Sequence, residues 1–104
     1  MTDSVQKPID NPGIQAEKLA ALEAERGKIY GPPRPSHANI GLSWTGLIQQ
    51  HYGITLPHPI PDFLVALMLD HFKGQRSARV FHQDNYDDKH VYAGFAERFQ
   101  QGKE

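Results

Sequence analysis

Apolar residues recur along most of this chain at intervals of three and four, the spacing that puts side chains on one face of a helix. From Ser36 the run HANIGLSWTGLIQQHYG sets Ile40, Trp44, Leu47, Ile48 and Tyr52 at helical spacing, and Gly53 ends it. Ser36 has the chemistry of an N-cap. Gly41 and Gly46 lie inside the run, where they either weaken a helix or mark a close helix contact. The run FLVALMLDHFKGQR follows Pro61 and Asp62, both favourable at a helix start. Phe63, Leu64, Leu67, Met68 and Phe72 mark a broad stripe there, which predicts the central, most buried helix. A last run opens at Asp84, and Val91, Phe95 and Phe99 supply its apolar face.

Upstream, residues 14–26 read IQAEKLAALEAER, a mixture of strong helix formers. Ile14, Leu19 and Leu22 give this first helix only a weak apolar face, and Gly27 is its expected stop. Residues 27–35, GKIYGPPRP, hold three prolines and two glycines, which predicts irregular backbone. Residues 54–60 form a second connector with Pro57 and Pro59, and residues 77–83 a third. Residues 1–13 are polar, with Pro8, Pro12 and Gly13, and read as a flexible tail. No strand pattern and no internal repeat stands out. The expected architecture is all-α: one four-helix bundle over residues 14–100, with Pro- and Gly-rich connectors, after the N-terminal tail.

Composition narrows the partners. A chain of 104 residues with 38% hydrophobic content supports one domain with a modest core. Domains of this size often gain stability by self-association, so a homo-oligomer is expected. The net charge of -1 supplies no basic field for general nucleic-acid binding. The absence of cysteine excludes disulfides, thiolate zinc sites and a cysteine nucleophile, and fits a reducing cytoplasm. The first residues hold no apolar run of a signal peptide, and no segment approaches the ~20 apolar residues of a membrane span.

The candidate chemistry clusters late in the chain. Asp84, Asp88 and Tyr92 are four residues apart, so a helix stacks them on one face. Two carboxylates one turn apart are a candidate Mg²⁺ site, and Lys73 with Arg76 just upstream are candidate ligands for phosphate oxygens. The same residues also suit a plain role, carboxylates at a helix N-terminus and cations at a C-terminus. Tyr30 and Arg34 lie within the first Pro-rich connector, which could carry a ring and a guanidinium into a pocket. His37 lies near a helix start and could pack, cap or bind ligand. The six histidines show no zinc-helix spacing such as His-Glu-x-x-His.

In order, these elements resemble the small all-α MazG-like domains, specifically a branch common in phages and prophages. The resemblance rests on Arg26 with Tyr30-Gly31-x-Pro33, His37-x-x-Ile40-x-x-x-Trp44, VALMLDHFK, Lys73-x-x-Arg76 and Asp84-x-x-x-Asp88-x-x-x-Tyr92, and spans roughly residues 22–98. It implies hydrolysis of nucleoside triphosphates to monophosphate and pyrophosphate with Mg²⁺ on acidic residues. Asp84 and Asp88 are similar to the later of the family's two acidic motifs. The earlier motif, Glu-Glu-x-x-Glu, is absent: residues 36–52 contain no Asp or Glu.

Three functions follow as expectations. One is a Mg²⁺-dependent pyrophosphohydrolase, with Asp84 and Asp88 on the metal and Lys73, Arg76, Tyr92, Tyr30, Arg34 and His37 around the nucleotide. Another is a non-catalytic module that sequesters a nucleotide. The third is a small helical adaptor for another protein. The expected location is the cytoplasm, that of the host if the chain is phage-encoded.

Overall fold

The computed structural model describes residues 12–104, with side chains from residue 16 onward apart from 27, 29 and 30. Four helices follow one another: α1 Pro12–Tyr30, α2 Pro33–Tyr52, α3 Asp62–Ser77 and α4 Gln83–Gln100. No strand occurs among the described residues, and the fold is all-α, consistent with a four-helix bundle. Most of the expected tail, residues 1–11, lies outside the described residues.

The first connector is far shorter than its composition predicts. α1 runs through Gly27 to Tyr30, and α2 begins at Pro33, so only Gly31 and Pro32 link them. Proline is tolerated here because the first N–H groups of a helix have no intrahelical acceptor to lose. Pro33 and Pro35 therefore sit inside the first turn of α2, and Pro32 takes the N-cap position expected of Ser36. Gly31 makes the reversal with φ of +80°, a left-handed conformation that costs a side-chain-bearing residue extra.

The last two helices form the centre of the packing. A five-residue link joins α3 to α4, and these two pack most extensively, with α2 against α3. The core consists of Ala66 from α3 and Val91, Phe95, Ala96 and Phe99 from α4. Leu19, Leu22, Phe63, Leu67 and Tyr92 pack around it. The expected apolar face of α4 is thus present.

The stripes expected on α2 and α3 are rotated. On α2 the buried positions are His37, Gly41 and Thr45, whereas Leu47 and Tyr52 are exposed. Gly41 explains this. The carbonyl of Ile60 lies where a Cβ on Gly41 would stand, and Val65 Cγ2 is close behind. The 53–61 connector therefore presses against the small side of α2. Thr45 pins it: its hydroxyl donates to the Gly41 carbonyl at 2.7 Å and accepts from the Ile60 N–H at 2.8 Å. On α3 the fully buried residues are Val65 and Ala66, and Leu64, Met68 and Phe72 face outward. The small residues permit close approach of α4, which leaves the larger side chains on the other face.

α1 is held largely by charge. Lys18 pairs with Asp87 at 3.0 Å, Arg26 with Asp88, and Arg98 grips Glu23 through two nitrogens at 3.1 and 3.2 Å. Leu19 and Leu22 add the apolar contact that its weak stripe predicts.

Candidate functional site

The second turn of α2 begins the site. His37 is 6% exposed, and its Nδ1 lies 2.7 Å from the Pro33 carbonyl one turn back. That carbonyl can only accept, so Nδ1 carries the proton and Nε2 keeps its lone pair. Nε2 is buried and has no hydrogen-bond partner. Burial pushes the imidazole below its ordinary value of 6.5, against the opposing pull of the Pro33 hydrogen bond and the charge of Asp62. The ring is neutral at pH 7 and is held edge-on by Tyr92, Phe95 and Phe99, with centroids at 6.1, 5.4 and 5.6 Å.

His37 borders a cavity of about 330 Å³. Glu23 and Arg26 line it from α1, Ser36, His37 and Ile40 from α2, Leu69 from α3, and Tyr92 and Phe95 from α4. Gly31 and Pro33 close one side, so the tight α1–α2 reversal is also a wall of the cavity. The lining is mainly apolar, with a few polar groups facing one space, a common form for a small-molecule site.

The charged edge of this cavity is a triad. Asp88 receives Arg26 on Oδ1 and Lys73 on Oδ2, the latter at 2.8 Å. The Asp88 and Lys73 side chains are only 14% and 16% exposed. One carboxylate between two cations leaves one net positive charge. Arg26 carries it to the cavity wall and lies 5.8 Å above the Tyr92 ring centroid.

The expected site residues divide accordingly. Lys73 and Asp88 meet in the triad, and His37 and Tyr92 line the cavity. Asp84 is exposed in the first turn of α4. Arg34 is drawn elsewhere: its Nε donates to Asp62 at 2.8 Å and its Nη1 to the Lys103 carbonyl at 3.2 Å. Arg76 is exposed and covers the Phe72 ring at 5.5 Å. The Tyr30 side chain is outside the described residues. The cavity also uses Glu23, Ile40, Leu69 and Phe95, which sequence reasoning did not single out as site residues. Arg26 was visible only as the residue four positions ahead of Tyr30-Gly31-x-Pro33.

The donor set does not fit a resident Mg²⁺. Both oxygens of Asp88 are already engaged by cations, and Asp84 stands in solvent. Among the described residues no three carboxylate, histidine or cysteine side chains gather into a ligand set. Mg²⁺ wants near-octahedral oxygen ligation, which a carboxylate shared by Arg26 and Lys73 opposes electrostatically.

These features define a small all-α domain with an apolar, histidine-bordered cavity backed by an ion-pair triad. The chain belongs to the family described as "Domain of unknown function (DUF6378)", which it matches over residues 14–100. No curated protein and no solved structure matches it. No helix among the described residues is long and apolar enough to cross a membrane.

Proposed function

We propose that this protein is a MazG-like nucleotide-handling module that binds its ligand without hydrolysing it. The observation that carries the reading is the shared cavity, where the Tyr92 and Phe95 rings, the neutral His37 and the Arg26 guanidinium line one space. An aromatic and apolar lining suits a nucleobase, and the net positive triad of Arg26, Asp88 and Lys73 suits the attached phosphates. Binding without turnover follows from the engagement of Asp88 by two cations, since a metal-activated water needs a metal held open to substrate. Mg²⁺-dependent release of pyrophosphate is the competing reading. A neighbouring copy would have to supply the missing carboxylates.

The same proposal includes self-association and a cytoplasmic setting, that of the host if the gene is carried by a phage. Leu64, Met68 and Phe72 sit one turn apart on α3, each more than a third exposed. A second copy, related by a two-fold axis, would cover that stripe.

The test is a thermal-shift and hydrolysis screen over ribo- and deoxynucleotides, with Mg²⁺, with Mn²⁺ and with EDTA. Stabilisation by a nucleotide that survives EDTA, without turnover, is the expected result. Release of pyrophosphate only with metal would replace binding by catalysis. A flat response to every nucleotide would overturn the nucleotide reading and leave a protein-binding adaptor.

A further inference from the structure

The charges at the cavity edge limit what the cavity can hold. We infer that it takes an apolar ring carrying one anionic group, a nucleoside monophosphate in preference to a triphosphate, and that Lys73, sealed behind the wall, is what frees the charge of Arg26 to hold that group. The inference deepens the nucleotide reading and rests on it for the kind of ring.

The triad is layered. Of its three residues only Arg26 lines the cavity, and its side chain is 28% exposed against 14% for Asp88. Asp88 and Lys73 stand behind it, joined at 2.8 Å. Asp88 alone would cancel Arg26 and leave a neutral pair at the wall. Lys73 balances Asp88 on its other oxygen, so the surplus positive charge falls on the guanidinium that reaches the cavity. Asp88 is bonded through Nη2, and a guanidinium has further N–H donors to offer a second anion.

The other ionised group of the lining is already neutralised. Glu23 receives Arg98 on both oxygens, at 3.1 and 3.2 Å. His37 carries no charge, because burial lowers its pKa. Lys18, Arg34 and Lys89 are each spent on a carboxylate, Asp87, Asp62 and Asp70. The wall thus offers one positive charge, and among the described residues no metal-ligand set gathers to add more. One phosphate group matches that charge. Second and third phosphates would extend past Arg26 and meet no further cation of the lining. Ile40, Leu69 and Phe95 supply apolar wall for the ring, in a space of about 330 Å³ that is at the small end for ligand sites.

Exchange of charge behind the wall isolates the effect. The probes are the four ribonucleosides, their 5′-monophosphates and their triphosphates, with phenyl phosphate as a base-free anion, titrated calorimetrically in EDTA into the full chain. For at least one base the monophosphate is expected to bind about tenfold more tightly than the nucleoside, and the triphosphate no more than about twofold more tightly than the monophosphate. Lys73→Met leaves Arg26 and Asp88 as a neutral pair. It is expected to erase the tenfold advantage while affinity for the nucleoside stays. Lys73→Met combined with Asp88→Asn returns one positive charge to Arg26 and is expected to restore the advantage. A merely structural role of Lys73 would weaken nucleoside and monophosphate alike, with no rescue by the second change. Arg26→Gln leaves Lys73 and Asp88 as a neutral pair, is expected to erase the advantage too, and decides the matter should circular dichroism show Lys73→Met unfolded. Equal affinity of nucleoside and monophosphate for the unaltered protein, a triphosphate bound about tenfold more tightly than the monophosphate, or an advantage that survives in the folded variants overturns the inference and leaves the nucleotide reading standing. Binding of phenyl phosphate but of no nucleoside or nucleotide overturns the nucleotide reading while the charge rule survives. Binding of none of the probes overturns both.

Discussion

His37 and Asp88 are both polar and largely enclosed, yet they answer burial in opposite ways. His37 stays neutral, because desolvation of an imidazolium outweighs the help it would get from Pro33 and Asp62. Its folded value therefore lies below the 6.5 of the free side chain. Above 6.5 neither folded nor unfolded chain protonates it, so it has no effect on stability. As pH falls below 6.5 the unfolded chain takes up the proton first, and stability is lost until the folded value is passed. Urea unfolding from pH 7.5 downward is expected to show this fall just below 6.5, and His37→Leu to remove its share of the slope. Asp88 instead has its two carboxylate oxygens engaged by two cations. Asp88→Asn leaves Arg26 and Lys73 facing one another with no anion between them. The expected loss is about 2–3 kcal/mol, below the full cost of breaking a deeply buried pair because Arg26 can turn partly to water. Asp84→Asn, at an exposed position, is expected to change stability by only about 0.5 kcal/mol. Equal losses in the two variants, measured by urea unfolding, would contradict the triad.

At the scale of elements, the glycines of α2 separate two roles that look alike in the sequence. Gly41 has the Ile60 carbonyl against it, and Gly46 has open space. Gly41→Ala is expected to destabilise by about 1–3 kcal/mol, because the obstruction is backbone rather than a movable side chain. Gly46→Ala is expected to stabilise by about 0.5–1 kcal/mol through helix propensity alone. Thermal unfolding of the two variants, with shifts of opposite sign, checks both. The contrast also explains how much of each helix was legible. The existence of α2, α3 and α4 was visible, since local spacing and end signals act over one or two turns. The buried face of α4 was visible too, because Val91, Phe95 and Phe99 are its large apolar residues. The buried faces of α2 and α3 were legible only in part: Phe63 and Leu67 pack against the core and Ile40, Trp44 and Ile48 are half-buried, but the most buried positions are others. There the close partner is the 53–61 connector or α4, and what matters is smallness at Gly41, Val65 and Ala66. A hydrophobicity pattern weighs large residues most heavily and so misses a contact built on small ones.

At the scale of the whole molecule, a core of six buried apolar residues among the described ones, supported by partly buried neighbours, is modest, and large apolar side chains remain outside it. Leu64, Met68 and Phe72 are the most regular of these. If a second copy covers them, Met68→Lys with Phe72→Ser shifts the protein from dimer to monomer in light scattering coupled to size exclusion. An unchanged mass would remove this stripe from the interface. The ion pairs that dock α1 have a global consequence as well. They bring Glu23 and Arg26 to α4 and so complete the cavity wall that α2 and α4 begin.

The order of residues by itself determined an all-α chain of four helices and the placement of Lys73, Asp88, His37 and Tyr92 on them, because helix periodicity and end chemistry are local. It also marked the Pro-rich segment as a point of reversal, although it overstated its length: proline's missing N–H is harmless in a first helical turn. Only the tertiary structure decided which groups meet. Arg26 and Asp88 are 62 positions apart, and nothing in their local surroundings pairs them. Once paired, Asp88 changes from a candidate metal ligand into the anion of a triad. Nor could any local pattern show that His37 has one nitrogen committed and the other without a partner beside a cavity. Both facts arise from desolvation and long-range packing, which depend on where the other helices come to rest.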